Sequence, residues 1–229
     1  HYADHAALHL RTWFLDAKTR MTPRLDYGGV GGEAVVEDAS SAPPTGGTFE
    51  GVLETLPLVE VAQAIPFLAT SDALTDAERS GLQAWFAAYL KWLSETADSG
   101  PRLGALARDR KDHHGTSWLL QVSAYTLLSL PEETAPKAED SSMDKLRVRF
   151  RTMTLRAQIA ADGTFPHELT TDAPYRNSLF NLDMLAAICQ LLSTRFESAW
   201  HYQLKYVPGM RWPISYPSPN MANAGRWPY

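Results

Sequence analysis

The run KDHHGTSWLLQ, residues 111–121, decides how the rest of the chain is read. Asp112, the adjacent His113 and His114, Gly115 and Thr116 lead into an apolar segment that stops at Pro131. A polar opening, an apolar run and a closing proline predict a buried helix from about Thr116 to Leu130. A helix N-terminus carries partial positive charge, so a histidine there tends to stay neutral and able to accept a proton, in surroundings that favour an anion. The pair is therefore a candidate general base, although a cap or a satisfied polar group is the commoner role for a histidine so placed. Neighbouring helical positions point about 100° apart, so His113 and His114 are poorly placed to share one ion. With no HExxH, no CxxC and a single cysteine, Cys189, the sequence supports no metal site and calls for no cofactor.

Outward from this run, apolar residues recur at helical spacing. Residues 2–15 bring Ala6, Leu10, Trp13 and Phe14 to one face. Residues 52–69 form a second helix, with Pro57 tolerable only near its first turn. Thr75 and Glu78 spell a capping box that opens a third helix through Trp92, striped by Trp85, Tyr89, Trp92 and Leu93. Residues 141–160 make a basic amphipathic helix whose arginines read as a solvated face. Another apolar helix runs from Ser178 to Ser193. The stretches VEVA and FPHEL leave helix and strand open, EETAPKAEDSS is a charged, proline-broken loop, and the segment from Tyr206 is expected to wrap the surface. Residues 22–50, with GGVGG and TGG, form a long loop of the kind that serves as a lid or binding loop or is disordered. No strand precedes GGVGG and no helix opens after it, so it is not a dinucleotide fingerprint.

At 229 residues and 45% hydrophobic content, the chain has enough material for one domain spanning 1–229. A net charge of −5 lacks the basic footprint of a nucleic-acid binder. No run of 18 apolar residues occurs, so no membrane span is expected. The opening HYADHAALHLRTWF is not a signal peptide and reads like the middle of a helix, as in a fragment or processed form of a longer chain.

Taken in order, YADHAALHLRTWFLDAKTRMTPRLDYG, ETLPLVEVAQAI, AWFAAYLKWLSET, HHGTSWLLQ, ADGTFPHEL, SLFNLDML, SAWHY and the final WPY resemble the alginate-lyase-like polysaccharide lyases. The resemblance implies an all-α fold of (α/α) toroid-type helix pairs, incomplete at the N-terminus. It implies a secreted enzyme that cleaves an acidic, uronic-acid polysaccharide, alginate- or glucuronan-like, by β-elimination. Such chemistry must neutralise the uronate carboxylate, remove the C5 proton and protonate the departing O4. His114, Gly115 and Thr116 match the family's histidine motif, which makes His114 the base or proton-transfer partner. His113 stands where an asparagine is credited with carboxylate neutralisation; a protonated His113 is suited to that task, with Asp112 expected to keep it protonated. The family's arginine and tyrosine positions read Thr171 and Asn177, so Tyr175 is the expected second proton-transfer group and Arg176 the substrate clamp. Another family arginine reads Leu56, and the strip after the first helix reads Thr22, Arg24 and Asp26 with Tyr27 retained. Trp118, Tyr27 and Trp13 are candidate sugar-stacking residues, each equally a candidate for the core. Because several contacting positions differ together, two alternatives stay open: a catalytically inactive carbohydrate-binding protein, lectin-like or defensive, and a second chain or oligomer that completes the toroid.

Overall fold

The computed structural model of the chain describes residues 1–25, 48–95, 103–129, 141–203 and 209–216. Among these, every regular element is helical, as the apolar periodicity requires. The chain separates into two compact units, His1–Ala107 with Ala124–Pro136, and Arg108–Ser123 with Lys137–Tyr229.

The first unit opens with α1, Tyr2–Leu10, which widens into a π-helical turn, Arg11–Leu15. A 3₁₀ turn, Phe49–Leu53, leads to α2, Leu58–Leu68, with Pro57 at its N-cap, where a missing N–H costs nothing. The predicted capping box begins α3, Asp76–Ser94: Thr75 and Glu78 exchange side-chain and backbone hydrogen bonds. Arg11 reaches across to the Glu78 carboxylate and also donates to the Ala73 carbonyl at 2.6 Å. The hydrogen bond from Arg11, reinforced by the Thr75 backbone N–H, holds Glu78 down at about 2. The aromatic stripe of α3 is core, as expected. Phe14 packs edge-on against Trp85 at 4.8 Å and stacks on Phe86 at 5.5 Å. The polar ends find partners: Trp85 Nε1 donates to the Met21 carbonyl and Tyr89 Oη to Thr55 Oγ1, both at 2.8 Å. Tyr125 closes the cluster against Phe86 and Tyr89. A short helix not foreseen from the sequence, α4, spans Leu103–Arg108.

Tyr125 belongs to α5, His113–Ser129, whose first half lies in the second unit. That unit continues with α6, Ser142–Arg149, a π-helical turn, Phe150–Thr154, and α7, Leu155–Gln158. A 3₁₀ turn, Glu168–Thr170, precedes α8, Pro174–Leu192, and the last short helix, α9, spans Arg211–Ser215. Both ambiguous stretches resolve without strands: VEVA lies in α2, and FPHEL ends in the 3₁₀ turn. Two starts differ from expectation. Helix α5 begins at His113 rather than near Thr116, because the carboxylates of Asp112 and Glu168 satisfy its first N–H groups. Helix α8 begins at Pro174 rather than Ser178, since proline is preorganised for the first helical position.

The glycine-rich stretches at 28–32 and 45–47, the charged loop at 131–140, Asp26, Tyr27 and most of the C-terminal segment lie outside the described residues. Against the expectation of no span, Phe49–Leu68 has the length and mean hydropathy, 1.3, of a membrane-crossing helix. The match is one of length and composition only, in a stretch formed of the 3₁₀ turn, a further turn and α2.

Candidate active site

Two histidine–carboxylate pairs stand side by side at the start of α5. Glu168 is fully buried; its Oε1 accepts the His113 backbone N–H at 2.6 Å and its Oε2 lies 2.8 Å from His113 Nδ1. Asp112, at the N-cap position, repeats the arrangement on the next residue. Its Oδ1 accepts the His114 backbone N–H at 3.1 Å and lies 3.1 Å from His114 Nδ1. Arg110 holds the other oxygen of Asp112 through Nε at 3.1 Å and Nη2 at 2.5 Å. Burial pushes the Asp112 carboxyl up, but the hydrogen bonds from His114 and Arg110 outweigh it and hold the group well below the usual carboxylate range.

A ring that donates from Nδ1 to its carboxylate keeps its lone pair on Nε2. The ring centroids are 4.1 Å apart, and the side chains are 11% exposed for His113 and 12% for His114. Both imidazoles are thus nearly buried within a polar cluster.

The cluster is fastened from behind. Gln158 Nε2 donates to the Asp112 carbonyl at 3.3 Å, and its Oε1 accepts from Thr116 Oγ1 and Asn181 Nδ2, both at 2.9 Å. These three side chains are buried, and the hydrogen bonds among them tie α5 to α7 and α8. Gly115 has its own reason: a Cβ there would stand 2.1 Å from the Arg110 carbonyl oxygen. Only glycine lets the chain pass Arg110 closely enough for the guanidinium to fold onto Asp112.

The expected residues are only partly brought together. His113, His114 and Asp112 form the cluster, but the carboxylate behind His113 is Glu168, and Asp112 serves His114 instead. Glu168 was missed because FPHEL gave no periodic signal; a carboxylate in so apolar a stretch was the clue available. Tyr175 and Arg176 fall in the first turn of α8, not in a loop. Phe180 of α8 lies 5.8 Å from the His113 ring, and Asn177, three residues earlier, shares that helix face. Tyr175 precedes Asn177 by two residues in that first turn. Arg176 is exposed, with Nε 3.4 Å from Asn177 Oδ1. Trp118 is 5% exposed, with the Arg149 guanidinium 5.2 Å over its ring, so it is a core residue rather than a sugar platform. Trp13, in the first unit, is 50% exposed. Among the described residues no group of three metal-ligating side chains forms.

The family model for alginate lyase matches residues 1–223. The chain belongs to the alginate lyase family. An alginate lyase from Bacteroides ovatus superposes with a TM-score of 0.81 at 25% identity, over 100% of this chain and 55% of the other. The chain therefore spans little more than half the length of that relative. The likeness bears out the all-α, toroid-type fold class expected from the sequence. No curated protein matches the chain. Against the alginate lyase pattern, the two replaced positions are bonded to one another: Asn177 Nδ2 donates to Thr171 Oγ1 at 3.0 Å. Thr171 Oγ1 in turn donates to the Glu168 backbone carbonyl at 2.7 Å, which ties both substitutions to the backbone of the residue behind His113.

Proposed function

We propose that the chain is a polysaccharide lyase that cleaves a uronic-acid polymer, alginate- or glucuronan-like, by β-elimination at the histidine pair. The observation that carries this reading is the placement of two imidazoles, each with Nδ1 against its own carboxylate, at one partly exposed helix end. His114, with Asp112 fixing the proton on Nδ1, offers the lone pair of Nε2 to the C5 proton of a bound uronate. As that C–H bond breaks, its electron pair forms the C4=C5 double bond, the C4–O4 bond breaks and O4 leaves with a proton.

The carbanion-like transition state adds charge beside a carboxylate, so something must take up that charge. His113 protonated on both nitrogens presents Nε2–H to the substrate carboxylate, and Glu168 behind it offsets the positive charge. The positive end of α5 acts in the same direction. Two donors are available to O4: His114, which returns the proton it has taken, and Tyr175. Arg176, exposed at the first turn of α8, is the proposed clamp for a neighbouring uronate. The polymer's size places the proposed reaction outside the cell, as in a secreted enzyme.

The test is ultraviolet absorbance of the unsaturated uronate formed from polymannuronate, polyguluronate and glucuronan. Wild-type protein is expected to produce it on at least one polymer. His114→Ala should lose activity by about 10²–10⁴-fold at an unchanged melting temperature. Product from none of the polymers, with binding retained, would move the reading to a carbohydrate-binding protein.

A further inference from the structure

Residues from the stretches 200–203 and 209–215 line a cavity of about 560 Å³. That volume falls within the roughly 300–1,000 Å³ typical of small-molecule sites. Trp200, His201, Gln203, Arg211, Trp212 and Ser215 line it. None of them belongs to the cluster at the start of α5. Indole faces alternate here with side chains that donate and accept hydrogen bonds, and one guanidinium stands among them.

The cavity is built on fixed backbone. Tyr202 and Met210 are buried beneath it. A Cβ at Gly209 would stand 2.4 Å from the Tyr202 carbonyl oxygen, so one wall rests directly on the other. Gly163, at φ +89°, brings its backbone against the far wall; a Cβ there would stand 2.5 Å from the Trp212 carbonyl oxygen. The left-handed conformation at Gly163 is one that a side chain rarely adopts. Upon this frame Trp212 is left 48% exposed, and Arg211 is exposed beside it. Among the described residues no carboxylate pairs with Arg211. An indole held open next to an unneutralised guanidinium fits a ring with an apolar face and an anionic substituent.

We propose that this cavity is a second saccharide site, which stacks a pyranose ring on Trp212 or Trp200 and binds its carboxylate at Arg211. The ligand class is a uronate residue. That it belongs to the polymer cleaved at the histidine pair rests on the reading above. Such a site lets the protein stay on a long chain after each cleavage, because a second grip raises the effective concentration of substrate.

The experiment uses the full chain carrying His114→Ala, titrated calorimetrically with saturated mannuronate and glucuronate trisaccharides and with a neutral glucose trisaccharide. Two uronate-binding events per chain are expected. One should weaken about tenfold or more in Arg211→Ala, the scale of a lost charge-assisted hydrogen bond. Trp212→Ala should weaken the same event, and Arg211→Lys should restore part of it. Unchanged binding in the Arg211 and Trp212 variants, both still folded by melting temperature, would overturn the proposal. So would equal affinity for the neutral trisaccharide. If the lyase reading fails instead, wild-type protein gives no unsaturated product while the Arg211-dependent event persists.

Discussion

Glu168 grips His113 twice, through the backbone N–H at 2.6 Å and through ring Nδ1 at 2.8 Å. One fully buried carboxylate therefore starts a helix and orients an imidazole together. Glu168→Ala leaves the buried His113 N–H without its acceptor, at a cost of about 1–3 kcal/mol. For a chain of this size that lowers the melting temperature by about 2–4 °C per kcal/mol. Calorimetric melting checks it. Activity should fall further than stability, because His113 loses both its orientation and its counter-charge. Glu168→Gln should recover stability better than rate.

Asp112 supports the proposed base. Asp112→Asn removes the carboxylate that accepts the His114 backbone N–H and faces its Nδ1. The maximal rate should fall while the protein still folds by melting temperature. An unchanged rate would show that Asp112 does not position the base.

Tyr175→Phe decides which group protonates O4. If His114 returns the proton, kcat should change by less than about threefold, within the scatter of a surface substitution. A loss of about 10²-fold or more would assign the step to Tyr175.

Gly115→Ala should be the most damaging single methyl in this region. The added Cβ would meet the Arg110 backbone oxygen at 2.1 Å, and backbone does not yield as a side-chain tip can. A loss of melting temperature and of activity together is expected. Glycine restored at 115, in a background with Arg110→Ala, should recover stability more than rate.

Far from the histidines, Glu78 supplies a pH test in the first unit. Its folded pKa, about 2, lies below its ordinary value of 4.5, so its contribution is whole above about 4.5 and is lost as pH falls toward 2. Asp112 shifts in the same direction, so the comparison must be between proteins. Glu78→Gln should melt lower than wild type at pH 7, and the two curves should converge by about pH 2. Thr75→Ala, which removes the cap, should cost about 1 kcal/mol.

The sequence was most readable where local chemistry dominates. The Thr75–Glu78 cap, the aromatic face of α3 and the helical character of the run after Thr116 are each set by neighbours within a few residues. The histidine pair was legible for the same reason. The partners were not: Glu168 is 55 residues from His113 and Gln158 is 42 from Thr116. Nothing local in FPHEL announces that its glutamate is buried. The start of α8 was expected at Ser178, where the apolar run begins, whereas Pro174 opens the helix. Tyr175 and Arg176 therefore stand in the first turn of a helix rather than ahead of it.

The two units are interleaved along the chain, since α5 gives His113 and His114 to one and Tyr125 to the other. No single cut in the polypeptide separates them. A fragment ending at Ala107 keeps Phe86 and Tyr89 but loses the ring that closes on them, and a fragment beginning at Ala124 loses the reactive helix end. The chemistry and the aromatic packing are thus inherited together: recombination that exchanges one half of this chain for another must respect the whole of α5, or it breaks both.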